Sequence, residues 1–191
     1  MRFRYLIWDV DGTLFDTYPT LVASLRQALV EFGIEAETAY IAALMQRTFD
    51  YALDTLLGAQ PIDRDALIAR YLHLVRAIPT QEQPLFPGVR DVCQRLNAAG
   101  GANFIFTHRR RQTLQHLLDV HGAADLFRDV LTVDDGYPRK PDPGGFLTLV
   151  ARHELPHAET LAIGDRDLDV LAGAAAGIST CLFAAQPVES Q

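Results

Sequence analysis

The sequence predicts an α/β fold: a parallel five-stranded sheet with helices on both faces, plus a small helical cap inserted after the first strand. Three observations carry it. From residue 88 onward, short apolar runs alternate with helical patterns, as in a parallel sheet covered on both sides. Between residues 19 and 78 the chain shows consecutive helical patterns and no convincing strand. Polar residues gather where the apolar runs stop, which in open α/β sheets is where ligands bind.

The elements follow in order. Residues 4–8 (RYLIW) read as a buried strand. From Pro19 to Phe32, Leu21, Leu25, Ala28, Leu29 and Phe32 mark one helical face, and Gly33 supplies a stop. Further helical patterns occupy 36–46, 49–57 (stopped by Gly58) and 63–77, before Pro79, Pro84 and Pro87 interrupt the chain. A helix over 88–98 ends at Gly100-Gly101, and ANFIFT (102–107) follows as a strand. Then come a helix at 111–121, a strand at 129–133 (DVLTV), a helix at 145–153, a strand at 160–164 (TLAIG), a helix at 167–176 and a strand at 179–183 (STCLF). The implied domains are 1–18 with 79–191 as the α/β core, and 19–78 as the helical cap.

Composition narrows the function classes. An apolar content of 49% is that of a soluble globular chain, and a net charge of −7 argues against a dedicated binder of nucleic acid or anionic membrane. No stretch approaches the roughly 18 apolar residues of a membrane span. The apolar run before Asp9 is too short for a secretory signal. Cys93 and Cys181 form no disulfide framework and no metal-ligand spacing. A cytoplasmic location is expected; the sequence leaves a homodimer open.

The strand ends hold the chemistry. The first strand delivers Asp9, Asp11, Gly12 and Thr13; the second ends in Thr107-His108-Arg109; the third leads to Lys140; the fourth ends in GDRDLD, Gly164 to Asp169. In an extended segment Asp9 and Asp11 point the same way, so both can face one reacting atom. One can then act as nucleophile and the other as its acid–base partner, since close like charges push one carboxyl's pKa up. Gly12 permits a sharp turn and close approach of a ligand. A carboxylate about 4 Å from a phosphate dianion is repelled by roughly 4 kcal/mol per charge pair at an effective dielectric near 20. A cation must offset this. Mg²⁺, which prefers oxygen ligands, suits the acids, with Asp165 completing the set and Lys140 adding an organic charge. Lys140 stands out for another reason: of 17 basic residues it is the sole lysine.

Other patterns fail on physical grounds. HELPH (153–157) spells a zinc-protease motif, but Pro156 breaks the helix that both histidines would need to share. Asp165, Asp167 and Asp169 imitate the start of a calcium loop, yet Val170 and Ala176 replace its glycine and glutamate. HRRR (108–111) lies at a helix start just after Thr107, so its residues are expected on a substrate phosphate or carboxylate rather than on nucleic acid. Arg47 (MQRTF) is a candidate substrate contact in the helical insertion.

Taken together, DVDGT (9–13), Thr107 after FIF, Lys140 in RKPDP and GDRDLD (164–169) resemble the four motifs of phosphatases of the haloacid dehalogenase (HAD) superfamily, in family order. The resemblance covers nearly the whole chain. It implies a Rossmann-like core, a small helical cap of the phosphoglycolate phosphatase and β-phosphoglucomutase-like branch, and hydrolysis of a small phosphorylated metabolite. It implies Asp9 as the nucleophile forming an aspartyl-phosphate and Asp11 as general acid, then base. Thr107 would bind phosphoryl oxygens and Lys140 would neutralise charge beside Asp9. Gly12, Thr13, His108, Arg109 and Arg47 are the substrate-binding candidates. Mg²⁺ would sit on the Asp9 carboxylate, the Asp11 backbone carbonyl and Asp165, with Asp169 behind. An acid at position 11 favours phosphoester chemistry over dehalogenation. The alternatives are a phosphosugar mutase of the same superfamily and a non-catalytic phosphate-binding module. A two-component receiver domain would carry neither DxDGT nor the helical insertion.

Overall fold

The computed structural model describes residues 2–184. Five strands, β1 (Tyr5–Trp8), β2 (Ala102–Phe106), β3 (Phe127–Leu131), β4 (Thr160–Gly164) and β5 (Ser179–Leu182), form one parallel sheet in the order β3-β2-β1-β4-β5. The helices are α1 (Tyr18–Glu31), α2 (Thr38–Arg47), α3 (Phe49–Leu57), α4 (Arg64–Ala77), α5 (Val89–Ala98), α6 (Arg111–Val120), α7 (Gly144–Arg152) and α8 (Asp167–Ala175). Every expected element is present.

The sheet order decides where the site lies. β2 and β3 extend from β1 in one direction, β4 and β5 in the other. The chain therefore reverses course beside β1, and the carboxyl ends of β1, β2 and β4 meet at that switch point. In-register pairing holds them level: Trp8 lies opposite Ile105 on one side and Ile163 on the other.

Alternation of side chains builds the two core layers. Leu6, Trp8 and Ile105 pack into one cluster with Leu96, Leu114 and Leu118, while Ile7, Phe104 and Phe106 pack into the other with Phe146 and Leu149. The polar Asn103, on β2, is fully buried. It accepts from the Trp8 indole at 2.9 Å and donates to the Cys93 carbonyl at 3.1 Å and to Asn97 Oδ1 at 2.9 Å. Its amide is therefore satisfied rather than costly.

Two compact units separate by their internal packing: residues 2–16 with 84–184, and residues 17–83. The second is wider at both ends than the helical pattern at 19–78. Pro19 sits in the first turn of α1, where its missing N–H is harmless, so the helix starts before it. A 3₁₀ turn at Thr80–Glu82 extends the other end. This unit has its own core, in which Leu25, Leu29, Ile41, Leu53 and Leu67 are fully buried.

β3 differs from expectation, ending at Leu131 rather than at 133. Thr132 begins a 3₁₀ turn instead: its backbone N–H and its hydroxyl both donate to Asp135 Oδ2, at 2.7 and 2.9 Å. That local capping competes with strand extension and wins. Among the described residues no helix is long and apolar enough to cross a membrane.

Candidate active site

Asp9 follows β1 directly, with its N–H bonded to the Ile163 carbonyl at 2.8 Å. The chain then folds tightly. The Val10 carbonyl accepts from the N–H groups of Thr13, Leu14 and Phe15, and Gly12 takes a left-handed φ of 78° that a side chain would strain. The turn thus carries Asp9, Asp11 and Thr13 to the rim of the sheet.

Lys140 is the centre of the site. Its Nζ lies 2.7 Å from Asp9 Oδ1 and 2.7 Å from Asp169 Oδ1, with all three side chains at or below 2% exposure. The rings of Phe106 and Phe146 flank the ammonium at 5.0 and 5.8 Å. Two buried carboxylates share one ammonium, and Asp169 also faces a second cation, Arg166, whose Nε lies 3.7 Å from its Oδ2. Burial pushes the Asp9 carboxyl above its usual range; Lys140 opposes this and Asp169 adds to it. The like charge acting on Asp9 is thus Asp169, whereas the sequence pointed to Asp11.

Asp9 Oδ2 is buried and has no hydrogen-bond partner. A buried carboxylate oxygen in that state is costly unless a ligand completes it. Asp9, Asp165 and Asp169 each offer an oxygen, all within 4.8 Å of one another. An all-oxygen donor set of this charge fits a hard divalent cation such as Mg²⁺. The Thr13 hydroxyl donates to Asp165 Oδ1 at 3.3 Å and so orients this acid.

Asp169 is fixed from both sides, because its Oδ2 also accepts from the Arg166 N–H at 3.1 Å. Gly164 makes this placement achievable. A Cβ there would lie 2.3 Å from Asp169 Cβ and 2.4 Å from its Cγ. Gly164→Ala is expected to destabilise the protein by about 1–3 kcal/mol, the usual cost of overpacking, and to lower kcat by displacing Asp169 from Lys140. Thermal unfolding and steady-state rates on the same sample check it.

At the end of β2, the Thr107 hydroxyl accepts from the Arg109 N–H at 3.1 Å, and the Thr107 side chain is buried. His108 and Arg109, both candidates for substrate contact, each meet a protein group. His108 Nε2 accepts from the Lys140 backbone N–H at 2.9 Å, pinning the loop that carries the lysine. Burial first, then the Lys140 charge, lower the His108 pKa to about 4, so the ring stays neutral and able to accept. Arg109 grips Asp11 through two nitrogens, Nε at 3.2 Å and Nη2 at 2.5 Å. Arg47 ends α2 in the helical unit, its guanidinium 3.7 Å above the Tyr51 ring.

Sequence reasoning missed Phe106, Phe146 and Arg166. Apolar residues in a strand and a helix carry no sign that they will wall a lysine. The tempting HELPH histidines separate as expected, His153 at the end of α7 and His157 in a 3₁₀ turn.

Comparison with known proteins identifies the family. The family described as haloacid dehalogenase-like hydrolase matches residues 6–183. The chain belongs to this family. A phosphoglycolate phosphatase of Photobacterium profundum is 30% identical over 190 residues, covering 91% of this chain and 80% of the relative. Among solved structures, a hydrolase from Streptococcus pneumoniae TIGR4 shares 30% identity at a TM-score of 0.73, covering 96% of this chain and 94% of its own. A haloacid dehalogenase-like protein from Bacteroides fragilis superposes at a TM-score of 0.81 with 25% identity, over 93% and 86% of the two chains. This HAD protein is accordingly an enzyme of the phosphatase type, a phosphoric monoester hydrolase.

Proposed function

We propose that the chain is a Mg²⁺-dependent phosphatase that hydrolyses a small phosphate monoester through an aspartyl-phosphate on Asp9. One observation carries the reading: Asp9 has one oxygen on Lys140 and the other, Oδ2, buried and unpartnered. A carboxylate held solely for structure would have both oxygens satisfied. Asp9 and Asp165, with the Asp11 backbone carbonyl, would hold the metal, and Asp169, engaged with Lys140 and the Arg166 N–H, would stand behind them. When bound, Mg²⁺ supplies positive charge that offsets repulsion between carboxylate and phosphate.

The residues then divide the work. The Asp9 carboxylate attacks phosphorus, and the bond from phosphorus to the leaving oxygen breaks. Asp11 gives that oxygen a proton. In the second half, Asp11 takes a proton from water, the water oxygen attacks phosphorus, and the bond to Asp9 breaks, regenerating the carboxylate. Lys140 holds positive charge beside Asp9 throughout, and Thr107 orients phosphoryl oxygens. The helical unit at 17–83 is assigned the part of the cap, with Arg47 its candidate for substrate discrimination. The free cysteines, Cys93 buried and Cys181 exposed, suit a reducing cytoplasm.

The relatives make 2-phosphoglycolate the first substrate to assay. Phosphate release from a panel of esters with Mg²⁺, abolished by chelation, tests the proposal; isomerised phosphosugar without free phosphate would identify a mutase instead. Asp11→Asn is expected to lose about 10²–10⁴ in rate on alkyl esters, the usual worth of a general acid–base. The loss should be smaller on p-nitrophenyl phosphate, whose leaving group needs little protonation. Equal losses on both would take Asp11 out of that role.

A further inference from the structure

Arg109 presents a two-nitrogen fork to both oxygens of Asp11, in a half-buried position where side-chain exposure is 15% for the arginine and 30% for the acid. Such a fork fits any planar carboxylate, and in partial burial the pair is stronger than a surface ion pair. The same arginine is tied to the phosphate side of the site, since its N–H donates to the Thr107 hydroxyl. Asp11 thus occupies, on Arg109, the position of a carboxylate ligand.

We propose that Arg109 is a specificity-determining residue that exchanges Asp11 for a carboxylate on the substrate. The inference rests on the phosphatase reading above and deepens it. Three facts converge. The guanidinium is planar and always charged, so it demands an anion. The anion it holds is the acid that this mechanism sends to the leaving oxygen. An incoming phosphoester with a carboxylate of its own can replace Asp11 on the fork bond for bond. The released Asp11 carboxylate, now beside the phosphate anion, takes up from solvent the proton it then gives to the leaving oxygen. A phosphoester without one leaves Asp11 gripped by the fork and away from the leaving oxygen. Recognition of the second anion and release of the acid become one event. The exchange gives a physical reason for preferring an ester of the kind the phosphoglycolate phosphatase relatives are named for, with a carboxylate on the leaving group; a neutral alkyl phosphate of equal length is turned over slowly.

The exchange predicts opposite effects on two substrates, which loss of structure cannot produce. With Arg109→Gln, kcat/KM for 2-phosphoglycolate should fall about 10²-fold, the worth of a charge-assisted bidentate pair. For ethyl phosphate it should rise severalfold, because Asp11 no longer has to break a pair. Arg109→Lys keeps the charge without the fork and should recover only part of the loss on 2-phosphoglycolate. Glycolate, the same carboxylate without phosphate, should inhibit the wild type competitively, and more tightly after Asp11→Asn removes its internal rival. A fall on both esters, or an unchanged ratio between them, overturns the exchange while leaving the phosphatase reading intact. No phosphate release from either ester by the wild type, with Mg²⁺ present, overturns both.

Discussion

Asp9→Asn is expected to give a folded protein with no measurable turnover. An amide is a poor nucleophile, so the covalent step fails however well substrate binds. The structural consequence is less obvious. Asp9 is buried at 2% exposure and paired with Lys140, which would ordinarily make its loss costly. Here the ammonium retains Asp169 at 2.7 Å, so the substitution removes a desolvated carboxylate without leaving Lys140 unpaired. Stability in metal-free buffer at neutral pH should therefore be unchanged or slightly raised. The pH dependence has a definite sign. Burial raises the folded-state pKa of Asp9 above its ordinary 3.8, so the folded chain holds a proton that the unfolded chain releases. Wild type then loses stability as pH climbs from the ordinary carboxylate value through the raised one, and the variant does not. The stability difference between them should shrink on acidification toward pH 4. Thermal melts with a chelator across pH 4–8, beside kcat at saturating substrate, read both effects. Residual activity above about a tenth of wild type would remove Asp9 from the nucleophile's place.

The alternation of strand and helix was legible because each element is amphipathic or fully buried over its own short length. The strand ends were legible because the motifs sit where apolar runs stop. Sheet order was not: the alternation says that strands are parallel, but not that the chain crosses past β1 to place β4 on its other side. The two missed pairings have the same origin. Arg109 meets Asp11 across 98 residues, and His108 meets the Lys140 backbone across 32. A basic run at a helix start tells that cations are present, while their partners are set by the tertiary fold. β3 shows the opposite failure. Its misplaced end is local: Val133 continues the apolar strand pattern, while the Thr132–Asp135 capping pair three residues apart ends it.

Lys140→Arg is expected to fold and to lose about 10²-fold or more in kcat, the scale of losing one oriented electrostatic donor. A chain that uses arginine at every other basic position keeps a lysine here, and the geometry gives the reason. One nitrogen reaches two carboxylates at 2.7 Å each, with no side-chain exposure, between the rings of Phe106 and Phe146 at 5.0 and 5.8 Å. A compact ammonium can point separate protons at both acids. A guanidinium is a wide planar fork that must turn one edge to one acid, and its extra atoms press on the rings. The steric part costs about 1–3 kcal/mol, a fall of several degrees in Tm for a chain of this size. Lys140→Ala separates charge from shape. It leaves the Asp9 and Asp169 carboxylates buried without their cation, a defect of about 3–5 kcal/mol. Mg²⁺ should recover part of that loss, because a metal held by the acids stabilises the state that binds it. The order expected in Tm is wild type, then Lys140→Arg, then Lys140→Ala, with both variants nearly inactive. An arginine variant with most of the wild-type kcat would mean that positive charge alone suffices, and the argument from the shape of the site would be wrong.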